Sequence, residues 1–255
     1  MTFLCTRRPW LALALLAALA AAPGAFAQAR DAAVASAAAA QKQPLLDTLK
    51  EFVSIETGSR DLDGLTQASE LLAGKLRSLG GEVVFIEPTE ATTYRMADTP
   101  PKIGRMVRAT FKGSGSKRIL LIAHMDTVYL KGMLAKQPFR VDGNKAYGLG
   151  IADDKQGVAM VVHVVALLKA INFAEYGTLT VLVNADEEIS SPGSRAALSE
   201  AGAQHDAVLS FEGGGFDQDF VRLATSSIAI VEMKVTGKAS HAGAAPHLGR
   251  NALYE

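Results

Sequence analysis

The sequence is almost without cysteine. Its one cysteine, Cys5, lies in the first 27 residues, which have the pattern of an export signal, so residues 28–255 contain none. A disulfide framework is therefore excluded in that part of the chain. A metal site there has to be built from histidine and carboxylate side chains alone.

An excess of charge of either sign is also missing. The whole chain has 26 basic and 26 acidic residues, and residues 28–255 keep 24 basic and 26 acidic ones, a formal charge of −2. This balance argues against a nucleic acid or an anionic membrane surface as a partner. With 49% apolar and 20% charged residues, the composition is that of a globular protein with a sizeable core.

The amino-terminal apolar run is too short to span a membrane. It covers residues 10–22, about 13 residues, whereas a transmembrane helix needs ~20. Arg7 and Arg8 precede it and an Ala-x-Ala cleavage site follows at residues 25–27. We interpret residues 1–27 as a cleaved signal peptide, which predicts a periplasmic or secreted protein without membrane attachment after cleavage. The alanine-rich residues 28–43 are predicted to be a loose spacer.

Strand patterns alternate with helix patterns in the rest of the chain. Continuous apolar runs at residues 119–123 and 178–184 predict strands that are buried on both faces. Helices are predicted from apolar periodicity and capping residues, over 44–55, after a cap at Asp63, over 155–170, and from Ser190 or Ser191 to Ser199. This alternation predicts an α/β fold with a mostly parallel sheet flanked by helices.

The pattern changes in the last part of the chain. Residues 44–224 are predicted to form the main domain, in which residues 129–150 are a loop, and residues 225–255 the beginning of a smaller second domain. Residues 228–235 alternate partly, as in a strand with one solvent-exposed face. A helical pattern opens at Pro246 and has no cap before residue 255, so we expect the sequence to be truncated there.

Histidine and carboxylate residues follow the predicted strands or open a predicted helix. They form four motifs: His124-Met125-Asp126, Asp153-Asp154, Asp186-Glu187-Glu188 and Glu212. In an extended segment His124 and Asp126 point to the same side, so the carboxylate can orient the imidazole ring. The carboxyl ends of strands are where open α/β sheets bind ligands.

Carboxylates gathered at one sheet edge repel each other by several kcal/mol per pair at ~4 Å and intermediate dielectric. Divalent cations remove this repulsion, and histidine with carboxylates and no cysteine is a ligand set typical of hydrolytic zinc. Of two adjacent glutamates, one can bind metal while its neighbour acts on a water as general base.

Taken singly, each motif has a structural explanation: a core histidine, a helix cap or a solvent-exposed turn. The functional interpretation is preferred because all four motifs fall at the same end of successive strands. His163, His205 and His247 are left without a functional role.

At these motifs the chain resembles the M20 family of zinc metallopeptidases. The matching segments are residues 124–128, 150–155, 186–188, 210–212 and 237–243. Within the family the chain is most similar to periplasmic glutamate carboxypeptidases of the folate-cleaving type, on the evidence of residues 128–132 and 241–246. The resemblance implies a catalytic domain at residues 44–224 and a dimerisation, or lid, domain that begins at residue 225.

The resemblance also implies a site with two zinc ions. The metal ligands would be His124, Asp153, which bridges the two ions, Glu188 and Glu212. Glu187 would be the general base, Asp126 would orient His124, and a cis peptide bond would join residues 153 and 154.

A further role implied by the resemblance belongs to His241. In the family the corresponding histidine stabilises the oxyanion of the tetrahedral intermediate across a homodimer formed through the lid domain. The structural alternative is a residue that caps the Ser-His-Ala-Gly turn at 240–243.

The predicted function is that of an exported zinc carboxypeptidase. It would hydrolyse the amide bond before a carboxyl-terminal amino acid, with glutamate favoured, in a small peptide or an N-acyl amino acid. Alternatives are an N-acyl-amino-acid deacylase or a dipeptidase of the same clan, or a non-catalytic periplasmic protein that kept the fold. Glu187 favours an enzyme, because a binding protein has no use for a general base.

We expect residues 28–255 on their own to bind one zinc ion weakly and to be inactive. The family's last metal ligand is a histidine near the far end of a longer chain, and this sequence has no counterpart to it. Metal analysis and a hydrolysis assay of the purified segment test this expectation. Two tightly bound zinc ions together with turnover would contradict it.

Overall fold

The computed structural model describes residues 31–215, 221–226, 228–231 and 233–254. The predicted signal peptide lies outside these residues. In chain order the strands are β1 (Glu82–Ile86), β2 (Met106–Lys112), β3 (Arg118–His124), β4 (Arg140–Asp142), β5 (Lys145–Tyr147), β6 (Thr178–Asn184) and β7 (Ala207–Ser210). The α-helices are α1 (Ala32–Ala40), α2 (Lys42–Val53), α3 (Leu62–Ser78), α4 (Gln156–Ala170) and α5 (Arg195–Gln204).

A five-stranded sheet in the order β1-β2-β6-β3-β7 forms the centre of the fold. β6 and β7 both run parallel to β3, whereas β1 pairs with β2, and β2 with β6, in antiparallel fashion. The predicted α/β architecture with flanking helices is confirmed, and the sheet is mixed, with two parallel and two antiparallel pairings.

Helices cover both faces of the sheet. On one face Phe52 of α2, Leu72 of α3 and Val161 of α4 pack in the same buried cluster as Val181 of β6. On the other face Leu198 of α5 packs against a smaller cluster that contains Leu120 and Leu182. Because neighbouring residues of β6 point to opposite faces and both faces are covered, a continuous apolar run is what this strand requires.

The chain passes from β2 to β3 without pairing these two strands. Residues 113–117 link them, and β6 lies between them. The link packs closely on the chain that leads into β6, where Gly113 N donates to Gly177 O at 3.1 Å and Gly115 N donates to Tyr176 O at 3.0 Å. A Cβ atom on Gly113 would stand 2.0 Å from Tyr176 O, so only glycine fits there.

The predicted spacer contains a helix. Residues Ala32–Ala40 form α1, and the side chain of Asp31 caps it by accepting the N–H groups of Ala33 at 2.9 Å and Val34 at 3.1 Å. A loose chain was expected because these residues lack apolar periodicity, and α1 has no buried residue. The high helix propensity of alanine and the cap explain the difference.

Two predicted helix starts are corrected. The cap of α3 is Asp61, which accepts the N–H of Gly64 at 3.2 Å, whereas Asp63 lies inside the first turn. α5 begins at Arg195 and not after Ser190 or Ser191. These two serines have φ angles of 70° and 52°, which a right-handed helix excludes.

The predicted loop at residues 129–150 contains the hairpin of β4 and β5, where the guanidinium of Arg140 lies 3.7 Å from the centre of the Tyr147 ring.

In the second predicted domain the strand at residues 228–235 is not found among its described residues, 228–231 and 233–235. The helical pattern from Pro246 is a short 3-10 helix, Pro246–Leu248. No helix within the described ranges has the length and apolar character to span a membrane.

Two glycine substitutions should have opposite effects on stability. Gly113→Ala would force backbone atoms apart and should lower the free energy of unfolding by about 1–3 kcal/mol. Gly74→Ala, at an exposed position of α3 with no atom within 4 Å of the new Cβ, should raise it by about 0.5–1 kcal/mol. Urea unfolding of both variants measures this, and equal stability would contradict the packing of the β2–β3 link.

Candidate metal centre

The carboxyl ends of β3, β6 and β7 meet at one edge of the sheet. The parallel register pairs His124 with Asn184 and Ile122 with Ser210. Continued by two residues, it brings Glu212 level with His124. Three of the four predicted motifs therefore arrive at this edge by strand pairing, and the fourth, Asp153, arrives from the segment that opens α4.

His124, Asp153 and Glu212 form a group that could hold a metal ion, since one ligand atom of each lies within 4.8 Å of the others. The Nε2 atom of His124 is 2.9 Å from Oδ1 of Asp153 and 3.8 Å from Oε2 of Glu212. The imidazole is buried, whereas the carboxylates of Asp153 and Glu212 are 65% and 49% exposed and thus accessible. One nitrogen and two carboxylate oxygens are donors that suit zinc.

The buried carboxylate of Asp126 contacts both His124 and the segment that bears Glu187 and Glu188. Its Oδ1 lies 3.3 Å from Nδ1 of His124 and accepts the backbone N–H of Glu187 at 3.0 Å. Its Oδ2 accepts the backbone N–H of Glu188 at 3.1 Å and the hydroxyl of Ser59 at 2.8 Å. These contacts place Asp126 where it can orient the imidazole, a role that stays a prediction, and they show that it also holds the backbone of both glutamates, which the sequence did not indicate.

The two aspartates at the start of α4 have different roles. A cis peptide bond joins Asp153 to Asp154. Asp154 is fully buried and accepts the backbone N–H groups of His124 and Gly157, both at 3.2 Å. It therefore has a structural role, as a cap of the first turn of α4. Burial raises the pKa of Asp154 to about 8 against the opposing effect of His124. Asp153 is the member of the pair that reaches the Nε2 atom of His124.

Burial and, after it, nearby negative charge raise the pKa values of Glu187 and Glu188. Burial, together with the charge of Asp153, raises the pKa of Glu188 to about 7. Partial burial also raises the pKa of Glu187, and the nearby Glu212 carboxylate adds to the effect. Burial lowers the pKa of His124, but contacts with Asp126 and Glu212 outweigh it and raise that pKa to about 12. This edge of the sheet thus favours positive charge, which a divalent cation can supply.

The predicted role of His241 stays a prediction. The ring is exposed, and its Nδ1 atom accepts the N–H groups of Gly243 at 3.2 Å and Ala244 at 3.0 Å. These contacts match the turn cap that was the structural alternative. Within the part of the chain that the structure describes, no hydrogen bond joins His241 to the group around His124.

Two histidines without a predicted function have structural roles. His163 is buried in α4, and its ring nitrogens contact Gln41 Oε1 at 2.7 Å and Thr48 Oγ1 at 2.9 Å, which ties the amino-terminal helices to α4. His205 contacts Thr180 Oγ1 at 2.9 Å at the end of α5. Both rings have partners for their nitrogens, so neither is available as a ligand.

Comparison with known proteins gives a consistent result. The model of peptidase family M20/M25/M40 matches residues 120–247. Carboxypeptidase G2 of Pseudomonas sp. (strain RS-16) is 46% identical over 242 residues, which are 95% of this chain and 56% of that protein. Beta-Ala-Xaa dipeptidase of Lactobacillus delbrueckii subsp. lactis is 25% identical over 59% of this chain and 31% of its own length. The chain thus spans 56% and 31% of the lengths of these two curated relatives.

Among solved structures, the di-peptidase Dug1p from Saccharomyces cerevisiae aligns with a TM-score of 0.60 and 16% identity, over 71% of this chain and 41% of that chain. Human carnosine dipeptidase 1 aligns with a TM-score of 0.56 and 17% identity, over 72% and 41% of the two chains. At such low identity these alignments show a shared fold and no more.

Replacing Asp126 by asparagine should weaken metal binding. The amide has one acceptor oxygen in place of two, so it cannot serve the imidazole, both glutamate amides and Ser59 together. We expect zinc affinity to fall about 10- to 100-fold in Asp126→Asn. Competition with a chromophoric chelator measures this in the protein expressed from the reading frame that contains this chain. Asp142→Asn, at an exposed position of β4, is the control, and equal affinity of the two variants would contradict the assigned role.

Proposed function

The chain belongs to peptidase family M20/M25/M40, and on this premise we propose that it is part of an exported zinc-dependent carboxypeptidase that removes a carboxyl-terminal amino acid, preferably glutamate. The observation that carries the proposal is the group of His124, Asp153 and Glu212, beside which Asp126 holds the backbone of Glu187. The name of the relative that is 46% identical over 95% of this chain, carboxypeptidase G2, supports the reaction type.

The proposal includes two metal sites that share one ligand. His124, Asp153 and Glu212 would hold one zinc ion, and Asp153 with Glu188 would hold the second. Zinc, when bound, polarises a carbonyl and lowers the pKa of water. Burial, with the charge of Asp153 next, raises the pKa of Glu188, and a cation at this second position would favour its ionised form.

Glu187 is the general base of the proposed reaction. Its raised pKa suits a group that takes a proton from water and gives it to the leaving amine. Asp126 fixes the main chain on which this carboxylate stands, and it holds the imidazole of His124 through the Nδ1 atom. Both effects keep the reacting groups in place without contact between Asp126 and the substrate.

The remaining parts of the proposal follow from the family. His241 of a second subunit would donate to the oxyanion, in a homodimer formed through the domain that begins near residue 225. Residues 1–27 would direct export to the periplasm or the medium. A dipeptidase is the second candidate function, since one curated relative with 25% identity is named as a dipeptidase.

The test is a substrate screen with the protein from the reading frame that contains this chain. N-acyl-glutamates, other N-acyl amino acids and dipeptides are compared by kcat/KM, before and after removal of metal by a chelator. We expect zinc-dependent cleavage with N-acyl-glutamates ahead. Faster cleavage of dipeptides would favour the second candidate, and absence of all hydrolysis would contradict both.

Glu187→Gln should separate catalysis from binding. The amide cannot accept the proton, so kcat should fall by about 10²- to 10⁴-fold while KM changes little. Glu200→Gln, on the exposed side of α5, is the matched control and should keep its kcat. A Glu187→Gln variant with the parent kcat would remove the residue from the mechanism.

A further inference from the structure

Residues 186–194 form the loop that bears Glu187 and Glu188. Its two ends are joined by the buried carboxylate of Asp186, for which the sequence predicts no role. Asp186 follows β6 and is 1% exposed. Its Oδ2 atom accepts the backbone N–H groups of Gly193 at 2.6 Å and Ser194 at 3.1 Å. One side chain therefore joins the first residue of the loop to its last residues, just before α5 begins.

The carboxylate of Asp186 accepts hydrogen bonds from three neighbours, Asn184, Gly193 and Ser194. The Nδ2 atom of Asn184 donates to Oδ1 of Asp186 at 3.3 Å and to Oγ of Ser194 at 3.1 Å. Asn184 and Ser194 are themselves buried, so water does not replace these bonds at low cost. An ionised carboxylate is the side chain of this size that only accepts, whereas an asparagine would add two donors.

The loop between its closed ends is held in a conformation that an open chain would not keep. Ser190 and Ser191 both have left-handed φ angles, 70° and 52°, which cost non-glycine residues free energy. Ser190 N donates to Glu187 O and Ser191 N donates to Asp186 O, both at 2.8 Å. The turn thus folds back on the backbone of Glu187, and closure by Asp186 maintains it.

The same loop also contacts the segment around Tyr94. Tyr94 N donates to Pro192 O at 2.8 Å. The guanidinium of Arg195 stacks over the Tyr94 ring at 4.7 Å and donates to Ser190 O at 2.9 Å. Arg195 is exposed, so this fastening can be removed with little effect on the core.

We propose that Asp186 is a positioning residue that determines where the carboxylates of Glu187 and Glu188 stand. It acts through the closure of the loop, whereas Asp126 accepts the backbone N–H groups of the two glutamates directly. The kinetic part of this inference rests on the proposed function, and the metal-binding part does not.

The decisive variant is Asp186→Asn. With the Asn184 amide oriented as in the structure, where Nδ2 also donates to Ser194 Oγ, the new NH₂ group faces a donor in either orientation: Asn184 on one side, or the N–H groups of Gly193 and Ser194 on the other. Zinc affinity and kcat should each fall about 10- to 100-fold, with KM for an N-acyl-glutamate changed by about twofold or less. Chelator competition measures affinity, and steady-state kinetics separates kcat from KM.

A double variant reverses the polarity of the contact and tests for rescue. In Asn184→Asp with Asp186→Asn, the amide at position 186 keeps an oxygen for Gly193 and Ser194, and its NH₂ group donates to the carboxylate at position 184. We expect zinc affinity and kcat to return to within about threefold of the parent, since the hydrogen bonds are restored. Failure of rescue, with both variants folded, would overturn the inference.

Asp206→Asn is the matched control. Asp206 also accepts a backbone N–H, that of Arg118 at 2.7 Å, but at the opposite end of β3. Its variant should keep the parent zinc affinity and kcat. A folded Asp186→Asn protein with these same parent values would overturn the inference.

If Asp186→Asn does not fold, as judged by circular dichroism, Arg195→Ala decides instead. It should lower kcat and zinc affinity by about two- to fivefold through the same loop, a loss that corresponds to about one weak contact. No change in either value would overturn the inference. If the parent protein cleaves no N-acyl amino acid, the proposed function fails, and zinc affinity alone still tests the role of Asp186.

Discussion

Repulsion between carboxylates is the constraint on which the carboxyl edge of this sheet depends. Two groups of acids meet there, and they are neutralised in different ways. Asp126, Asp154 and Asp186 are buried and accept N–H or O–H groups that reach them from several segments of the chain. Such donors make burial of a carboxylate tolerable. The more exposed acids, which include Asp153 and Glu212, have no comparable set of donors among the described residues and are left for a cation.

The fold supplies this arrangement through the register of three strands. β6 and β7 both run parallel to β3, so residues that follow each strand arrive at the same level. The helices on both faces hold the strands in that register by burying Leu72, Val161 and Leu182. The precision of the site therefore comes from the core, whereas the acids themselves add repulsion.

Much of the fold could be predicted because buried strands leave a plain signal in the chain. The apolar runs that end at His124 and Asn184 predicted two strands, and the motifs predicted residues of which the structure brings His124, Asp153 and Glu212 together. Features that rest on backbone donors could not be predicted. Nothing in the sequence shows that the amides of Glu187 and Glu188 bind Asp126, or that those of Gly193 and Ser194 bind Asp186. The start of α5 could not be predicted either. Ser190 and Ser191, which the sequence offered as caps, adopt left-handed φ angles in the closed loop, so the helix begins only at Arg195.

The turn around His241 has a consequence for proton chemistry. Because Nδ1 accepts two backbone N–H groups, the ring hydrogen of the neutral imidazole belongs on Nε2. The turn therefore selects the tautomer in which Nε2 carries the hydrogen, so Nε2 is the ring nitrogen that can donate a hydrogen bond. A cap that looks purely structural thus also determines which side of the imidazole can donate.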